Sequence, residues 1–354
     1  MINKYWLWLV IPFIVFGFFQ FKYFNGKFIP AVETAGKCNT ISVGFYNLEN
    51  LFDTIDDPIV DDAEFLPSSK NEWNTYRYEK KIHNMSRVIL AMNDGNACDM
   101  LGVCEIENVN VVNDLLKDEQ LKKIPFGVVH YDSPDARGID VALIYRTDKF
   151  IIIGSKPLKV DYDQKDFKTR DILWVQALYK KDTINVFVNH WPSRRGGPEE
   201  SEPKRVAAAT VLANHIAILK NSNPNCKIVC IGDFNDEPND KSISQVLNAK
   251  ANADNLCATC LFDPMNILKT KYKLGSHYYK GEWSMFDQII FSNNLAMPEY
   301  FENDLKAVKI LKEEWMLKVD TYNDKMQPSR TFEGPKYNGG YSDHLPVFAK
   351  LCVR

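Results

Sequence analysis

Histidine is scarce in this sequence, six in 354 residues, and the eight cysteines are scattered, with ligand-like spacing only between Cys257 and Cys260. One such pair without a second is a weak zinc signature, which argues against a zinc-built fold. The same pair suits a disulfide in an oxidising compartment, and the sequence leaves that choice open. Cys104 and Cys230 lie inside apolar runs and read as inert core residues. Excess positive charge is also missing. The formal charge is -3, and setting aside the first 38 residues, with Lys4, Lys22, Lys27, Lys37 and Glu33, leaves 39 basic and 45 acidic side chains, or -6. An acidic body does not track long polyanions by charge alone, so any nucleic-acid contact has to be local, through a basic loop or a bound cation. No internal repeat or low-complexity tract is present, which excludes a solenoid.

What is abundant is apolar: 45% of the residues are hydrophobic, ample for a core that needs neither metal nor disulfide staples. An uncharged run from Tyr5 to Phe19 stands between Lys4 and Lys22. It is short for a bilayer span of about 20 residues, but extension to Phe24 lets Lys22 snorkel to the interface. No small-x-small cleavage site follows closely, so residues 1–30 read as a signal anchor rather than a removed signal peptide. Residues 31–40 then form a linker. The expected location is outside the cytoplasm, in the periplasm or a similar space, with membrane association through residues 5–24.

Beyond the linker, short runs rich in Val, Ile and Phe alternate with amphipathic segments. Strands are expected near 41–46, 100–104, 126–131, 140–146, 150–155, 173–179, 184–189 and 227–231, and another begins at Asp287. Tyr78, Ile82, Met85, Val88, Ile89 and Met92 recur at helical spacing, predicting a helix over 76–92. Further helices are expected over 109–121 and 198–220, and a weaker one over 305–316. The pattern implies one α/β domain over 41–354, with mixed strands stacked as two sheets flanked by helices.

Polar residues gather where these strands end. They are Asn47 in "SVGFYNLEN", Glu105 in "MLGVCEIEN", Asn189-His190-Trp191, the run Asp233 to Asp236 in "IGDFNDEP", Asp287 in "FDQIIFS", and Ser342-Asp343-His344. A carboxylate such as Glu105 at the end of an apolar run is costly unless solvated, paired or bound to a cation. Together with Asp233, Asn235 and Asp343 it supplies hard oxygen ligands of the kind magnesium or manganese prefers. His190 and His344 also stand at strand ends, where acids can orient their rings, and Asp140 and Asp287 are the candidates. In "PSRRGG", Arg194 and Arg195 beside two glycines suit close approach to a phosphate. Arg137 in "DSPDARGID" reads either as an anion ligand or as a partner of Asp135.

The ordered series Asn, Glu, His, Asp-x-Asn, Asp and Asp-His resembles the endonuclease/exonuclease/phosphatase superfamily over residues 41 to 353. That superfamily includes deoxyribonuclease I, exonuclease III, apurinic endonucleases, neutral sphingomyelinases and inositol polyphosphate 5-phosphatases. The resemblance implies a four-layer α/β sandwich with the active site between the loop ends of two sheets. It also implies that Glu105 binds a divalent cation with help from Asn47 and Asp343, and that Asp233 and Asn235 orient or deprotonate water. His344, steadied by Asp287, would contact the phosphate, and His190 would do so from the opposite side. Counting back from "LIYR", Asp140 falls where deoxyribonuclease I has a glutamate supporting that second histidine, one methylene longer. The stretch "FLPSSKNEWNTYRYEKKIHNMSRVI" looks like exported bacterial members of the superfamily.

The expected function is a magnesium- or manganese-dependent phosphodiester hydrolase, a monomeric nuclease acting on DNA or RNA. A phospholipid or phosphoinositide phosphoesterase is the enzymatic alternative, and a catalytically silent anchored binding module is the alternative of another class. The chain lacks the "DxH" and "GNH" motifs of calcineurin-like phosphoesterases, which sets that reading aside. Substrate choice is expected in the loops 53–73, 193–203 and 316–341. The last of these holds Tyr322, Arg330, Phe332 and Tyr337, which stack on bases or pack on the protein.

Overall fold

A computed structural model of the chain describes residues 39–162, 167–251, 260–295 and 308–353. The expected membrane segment and linker lie outside them, apart from Asn39 and Thr40. Among the described residues no helix is long and apolar enough to cross a membrane.

The chain runs β1 (Asn39–Leu51), α1 (Thr75–Gly95), β2 (Met100–Ile106), α2 (Val109–Lys117), β3 (Phe126–His130), β4 (Asp140–Arg146) and β5 (Phe150–Leu158). It continues through β6 (Ile172–Tyr179), β7 (Asp182–His190), α3 (Pro198–Ser222), β8 (Lys227–Asp233), β9 (Leu261–Phe262) and α4 (Met265–Thr270). The last part holds β10 (His277–Tyr279), β11 (Glu282–Ser284), β12 (Asp287–Ser292), β13 (Val308–Ile310), β14 (Leu317–Asp320), β15 (Lys325–Pro328), β16 (Phe332–Glu333), β17 (Lys336–Tyr337) and β18 (Val347–Val353). Residues Asn39–Arg354 make one compact unit.

Two six-stranded sheets result, ordered β13-β18-β1-β2-β4-β3 and β5-β6-β7-β8-β12-β9. Each mixes parallel and antiparallel pairs: β1 with β2 and β7 with β8 are parallel, while β1 with β18 and β8 with β12 are antiparallel. The two-residue side-chain period explains how they stack. In β1, Ile41, Val43 and Phe45 face the second sheet, while Tyr46 and Leu48 join Met85, Val88 and Ile89 of α1 and Val111, Val112 and Leu115 of α2. In β8, Val229 and Ile231 face the first sheet, while Ile228 and Cys230 pack on Ala208, Leu212 and Ile216 of α3. Strands apolar on both faces need cover on both, and the outcome is the expected four-layer α/β sandwich. Gly102 in β2 marks the closest approach of the sheets, since a Cβ there would stand 2.8 Å from Ile231 Cδ1.

The helix expected over 305–316 does not form. Val308–Ile310 is instead an edge strand on β18, with Val308 in the inter-sheet core, and only Glu314–Met316 makes a single 3-10 turn. Residues 305–307 lie outside the described part. The helix expected over 109–121 ends at Lys117. Of the pair Cys257 and Cys260, whose disulfide state the sequence leaves open, Cys260 is disulfide-bonded, as is Cys352, and Cys257 lies outside the described residues.

Asp263 between β9 and α4 offers a test of burial. Its Oδ1 accepts the Met265 N–H at 2.9 Å, but its Oδ2 is buried without a partner. Burial lifts its carboxyl to about 7, against a smaller opposing effect of the Met265 N–H. Because the folded value lies above the ordinary one, its contribution to stability is fully present below about pH 4 and is lost as pH rises through about 7. Asp263→Asn mimics the neutral acid, so its melting temperature should gain on that of the native chain between about pH 5 and about pH 8. A difference that stays flat over that range would contradict the assignment.

Candidate active site

The period that builds the core also aims the polar strand ends. Asn47 continues the face of Val43 and Phe45, His190 that of Val186 and Val188, Asp233 that of Val229 and Ile231, and Asp287 that of Ile289 and Phe291. All four therefore point between the sheets at the same mouth. Glu105 reaches it by another route. Its backbone takes a left-handed φ of 56° in an irregularity where the β2 registers with β1 and β4 slip, and the Asn50 N–H caps its Oε2 at 3.1 Å. Glu49, Asn50 and Asn235 also have φ between 50° and 56°, so left-handed non-glycine backbone recurs around this mouth.

Asp233 is central. Its Oδ1 accepts the Asn235 N–H at 3.0 Å, and its Oδ2 accepts the Asn47 side-chain amide at 3.2 Å. That Oδ2 lies 3.8 Å from His190 Nε2 and 3.8 Å from His344 Nε2. His344 Nδ1 sits 2.7 Å from Asp287 Oδ2, the expected orienting pair. The distances around Asp233 exceed a direct hydrogen bond, and a substrate oxygen or water fits between the two rings. Glu105, Asp343, His190, Asp233, Asn235 and His344 line one cleft of about 760 Å³.

Of the expected cation ligands, Glu105 keeps Oε1 without a hydrogen bond among the described residues, and Asp343 has Oδ2 paired with Arg330 at 3.0 Å. Asn47 accepts the Glu49 N–H on its Oδ1 at 2.9 Å, which leaves that oxygen a second lone pair, and its amide donates to Asp233. Asp233, Asp287 and His344 also converge within 4.8 Å, as do His277, Asp343 and His344. The hard oxygens of Glu105 and Asp343 on the cleft wall are what fits magnesium or manganese.

The expected pairing of Asp140 with His190 is not formed. Asp140 precedes Val141, which faces the second sheet, so its own side chain turns to the opposite face with Ala142 and Ile144. There its two oxygens take His130 Nε2 at 2.9 Å and the Ser133 N–H at 2.8 Å. His190 Nδ1 is left buried without a hydrogen-bond partner. Arg194 has one edge of its guanidinium engaged by the protein. It donates to the Asn235 carbonyl at 2.8 Å and pairs with Asp236 at 3.1 Å and with Asp240, bracing the turn that carries Asp233. Arg137, Arg194 and Arg195 all line the cleft, Arg137 also lying 3.5 Å from Asp135.

Several neighbours were not picked out from the sequence. Arg170 is buried and donates to the carbonyls of His190, at 3.2 Å, and Trp191, at 2.7 Å, while pairing with Asp135 at 3.0 Å. His277 forms a β-bridge with His344, and their ring centroids are 4.5 Å apart. The spacing of neither residue signals these contacts, which join segments far apart in the chain.

The sequence model of the endonuclease/exonuclease/phosphatase family matches residues 42–352. The chain belongs to this family. Its members are divalent-metal-dependent phosphoesterases. No curated protein sequence matches. Solved structures with the same fold include an endonuclease/exonuclease/phosphatase family protein from Bacteroides thetaiotaomicron, 17% identical, with a TM-score of 0.55 over 90% of this chain and 99% of that one. A mannosyl-6-phosphatase from the same organism is 17% identical, with a TM-score of 0.54 over 88% of this chain and 99% of its own. Truncated TDP2 from Caenorhabditis elegans is 14% identical, with a TM-score of 0.53 over 89% and 98%.

Within this family frame the two imidazoles differ electrostatically. Burial, then Arg170, Arg137 and His344, holds His190 well below the usual imidazole value, so it is neutral at pH 7. Burial also pulls on His344, but Asp287 and Asp233 outweigh it and lift that ring well above the usual value. Asp233 is raised to about 7 by burial, with His344 opposing and Asp287 assisting. Environments that push such groups apart separate an acid from a base. Asp287→Asn removes the strongest influence that keeps His344 charged, so the alkaline fall of kcat/KM should move to lower pH. An alkaline limb that stays in place would show that the charge of His344 is set elsewhere.

Proposed function

We propose that this protein is a phosphodiester hydrolase that cleaves nucleic acid by attack of water on phosphorus, with magnesium or manganese as cofactor. The observation that carries the reading is the Asp233 carboxylate standing 3.8 Å from both the His190 and the His344 imidazole in the cleft. Asp233, with Asn235 beside it, accepts the proton of the attacking water. His344, charged and fixed by Asp287, donates to the phosphate oxygens and toward the leaving alkoxide, where negative charge grows. His190 contributes its neutral ring from the other side. A hard cation held by Glu105 and Asp343 supplies further positive charge against the phosphate.

Nucleic acid is favoured by the rim. Arg137, Arg195 and Lys280 stand at the cleft mouth beside Tyr279, which is 61% exposed and offers an aromatic surface to a base. That local basic edge is what an acidic body needs to meet a polyanion. The disulfide-bonded Cys260 and Cys352 support export to an oxidising compartment.

The test is a panel of plasmid DNA, single-stranded RNA, phospholipid vesicles, a sugar phosphate and bis-p-nitrophenyl phosphate, each with magnesium or manganese. Cleavage of a nucleic acid well above the other natural substrates is expected. Turnover confined to the lipid or to the sugar phosphate would overturn the substrate assignment and leave the phosphoesterase chemistry in place.

A further inference from the structure

Arg330 and Lys81 have no place in the scheme above, yet they form the most connected ionic network at the cleft. Lys81 of α1 is almost fully buried, and its ammonium donates to the Glu49 carbonyl at 2.9 Å, the Thr331 hydroxyl at 2.6 Å and the Tyr341 carbonyl at 3.1 Å. The Glu49 carboxylate lies 3.5 Å from the same ammonium. Glu49 is buried as well, and its two oxygens divide the work, Oε1 accepting Arg330 Nε at 2.9 Å and Oε2 accepting the Thr331 N–H at 2.8 Å. Arg330 then reaches Asp343 Oδ2 through Nη2 at 3.0 Å and lines the cleft with Glu105, Asp233 and His344.

A guanidinium has five N–H donors in a fixed plane. With Nε hydrogen-bonded to Glu49 and Nη2 ion-paired with Asp343, the remaining edge of Arg330 is the part that can meet a ligand in the cleft. Its side chain is 42% exposed, against 6% for Glu49 and 1% for Lys81, so the network is rigid at its root and open at its tip. A cation preset in this way binds an anion without first ordering its own side chain. Nothing about packing requires a buried ammonium at position 81, because an apolar side chain of similar length would fill the helix face with less desolvation.

We infer that Arg330 is a phosphate-binding residue of the cleft and that Lys81, which does not touch the cleft, is its positioning residue. Lys81 ties α1 to the left-handed end of β1 at Glu49 and to both ends of the loop from Thr331 to Tyr341. Glu49 converts that tie into the orientation of the guanidinium. The inference rests on the phosphoesterase reading, but its test does not require hydrolysis of any particular substrate.

The experiment is calorimetric titration of the full chain with inorganic phosphate in the presence of magnesium. Arg330→Gln is expected to weaken phosphate binding about tenfold or more while leaving the melting temperature nearly unchanged, since its tip is exposed. Lys81→Met leaves the buried Glu49 with Arg330 as its one remaining cation, so the double variant Lys81→Met/Glu49→Gln, which removes both buried charges, guards against simple unfolding. The double variant should fold, with phosphate binding weakened as in Arg330→Gln. Native phosphate affinity in Arg330→Gln would overturn the role of Arg330. A folded double variant with native affinity would overturn the positioning role of Lys81. If the nucleic-acid reading fails while these affinities fall as stated, only the substrate assignment is lost.

Discussion

Asp233→Asn should lower turnover at least about a hundredfold while the far-ultraviolet circular dichroism and melting temperature stay close to native values. The substitution keeps the size of the side chain, and the Asn235 N–H and the Asn47 amide that hold Asp233 belong to backbone and neighbours that do not move with it. What is lost is the proton acceptor. Burial lifts the Asp233 carboxyl to about 7, close to the pH at which a general base works best, and no other carboxylate among the described residues stands 3.8 Å from both His190 and His344. His344→Ala should produce a loss of similar size, because it removes the charged donor that faces the phosphate. Near-native turnover in either purified, folded variant would mean that the reaction centre lies elsewhere.

The second large effect is expected far from the cleft opening. Arg205 of α3 is 1% exposed and donates to Asp236 Oδ1 at 2.5 Å, to the Ser201 hydroxyl at 2.8 Å and to the Pro198 carbonyl at 2.9 Å. Asp236, equally buried, takes Ser242 on its other oxygen at 2.6 Å. Arg205→Leu leaves an acid in the interior with only the half-buried Arg194 still paired to it. Removing one partner of a buried pair costs about 3–5 kcal/mol, and the remaining Arg194 contact places this case near about 3. Denaturant unfolding should register that loss. Turnover should fall with it, because Asp236 ends the turn that begins at Asp233. Adding Asp236→Asn should restore part of the stability, whereas a single-variant loss under about 1 kcal/mol would show that the pair is not what holds this turn.

Much of this architecture was readable from runs such as "KIVCIGDFN", because a strand buried on both faces has to be apolar throughout and can be polar only where it ends. Glu105, Asp233, Asp287 and Asp343 were therefore visible as acids at strand mouths, and the structure brings Glu105, Asp233 and Asp343 to one cleft with Asp287 buried behind His344. Asp140 shows the limit of reading strand ends alone. Its position at the start of β4 was right, but the two-residue period of Val141 and Leu143 assigns it to the outer face, where His130 takes it. The arginines show a different limit. Arg194 carried the sequence signal for phosphate binding and lines the cleft, but Asp236 and Asp240, from the turn after β8, also pair with one side of its guanidinium. Arg330 gave only an ambiguous signal in a loop, and the residues that orient it, Glu49 and Lys81, lie about 250 or more positions away. The short hairpins β10–β11 and β14–β15 were illegible because strands of three or four residues carry too few alternations to establish a period.

The central claim is that these acids and imidazoles form one hydrolytic centre that works with a hard divalent cation. The most direct measurement is the rate of phosphodiester hydrolysis by the full chain after removal of metal with a chelator, then after addition of magnesium, manganese or zinc. The account predicts loss of turnover on chelation, recovery with magnesium or manganese, and failure of that recovery in Glu105→Gln. Turnover that survives complete chelation, or that zinc alone restores, would contradict it.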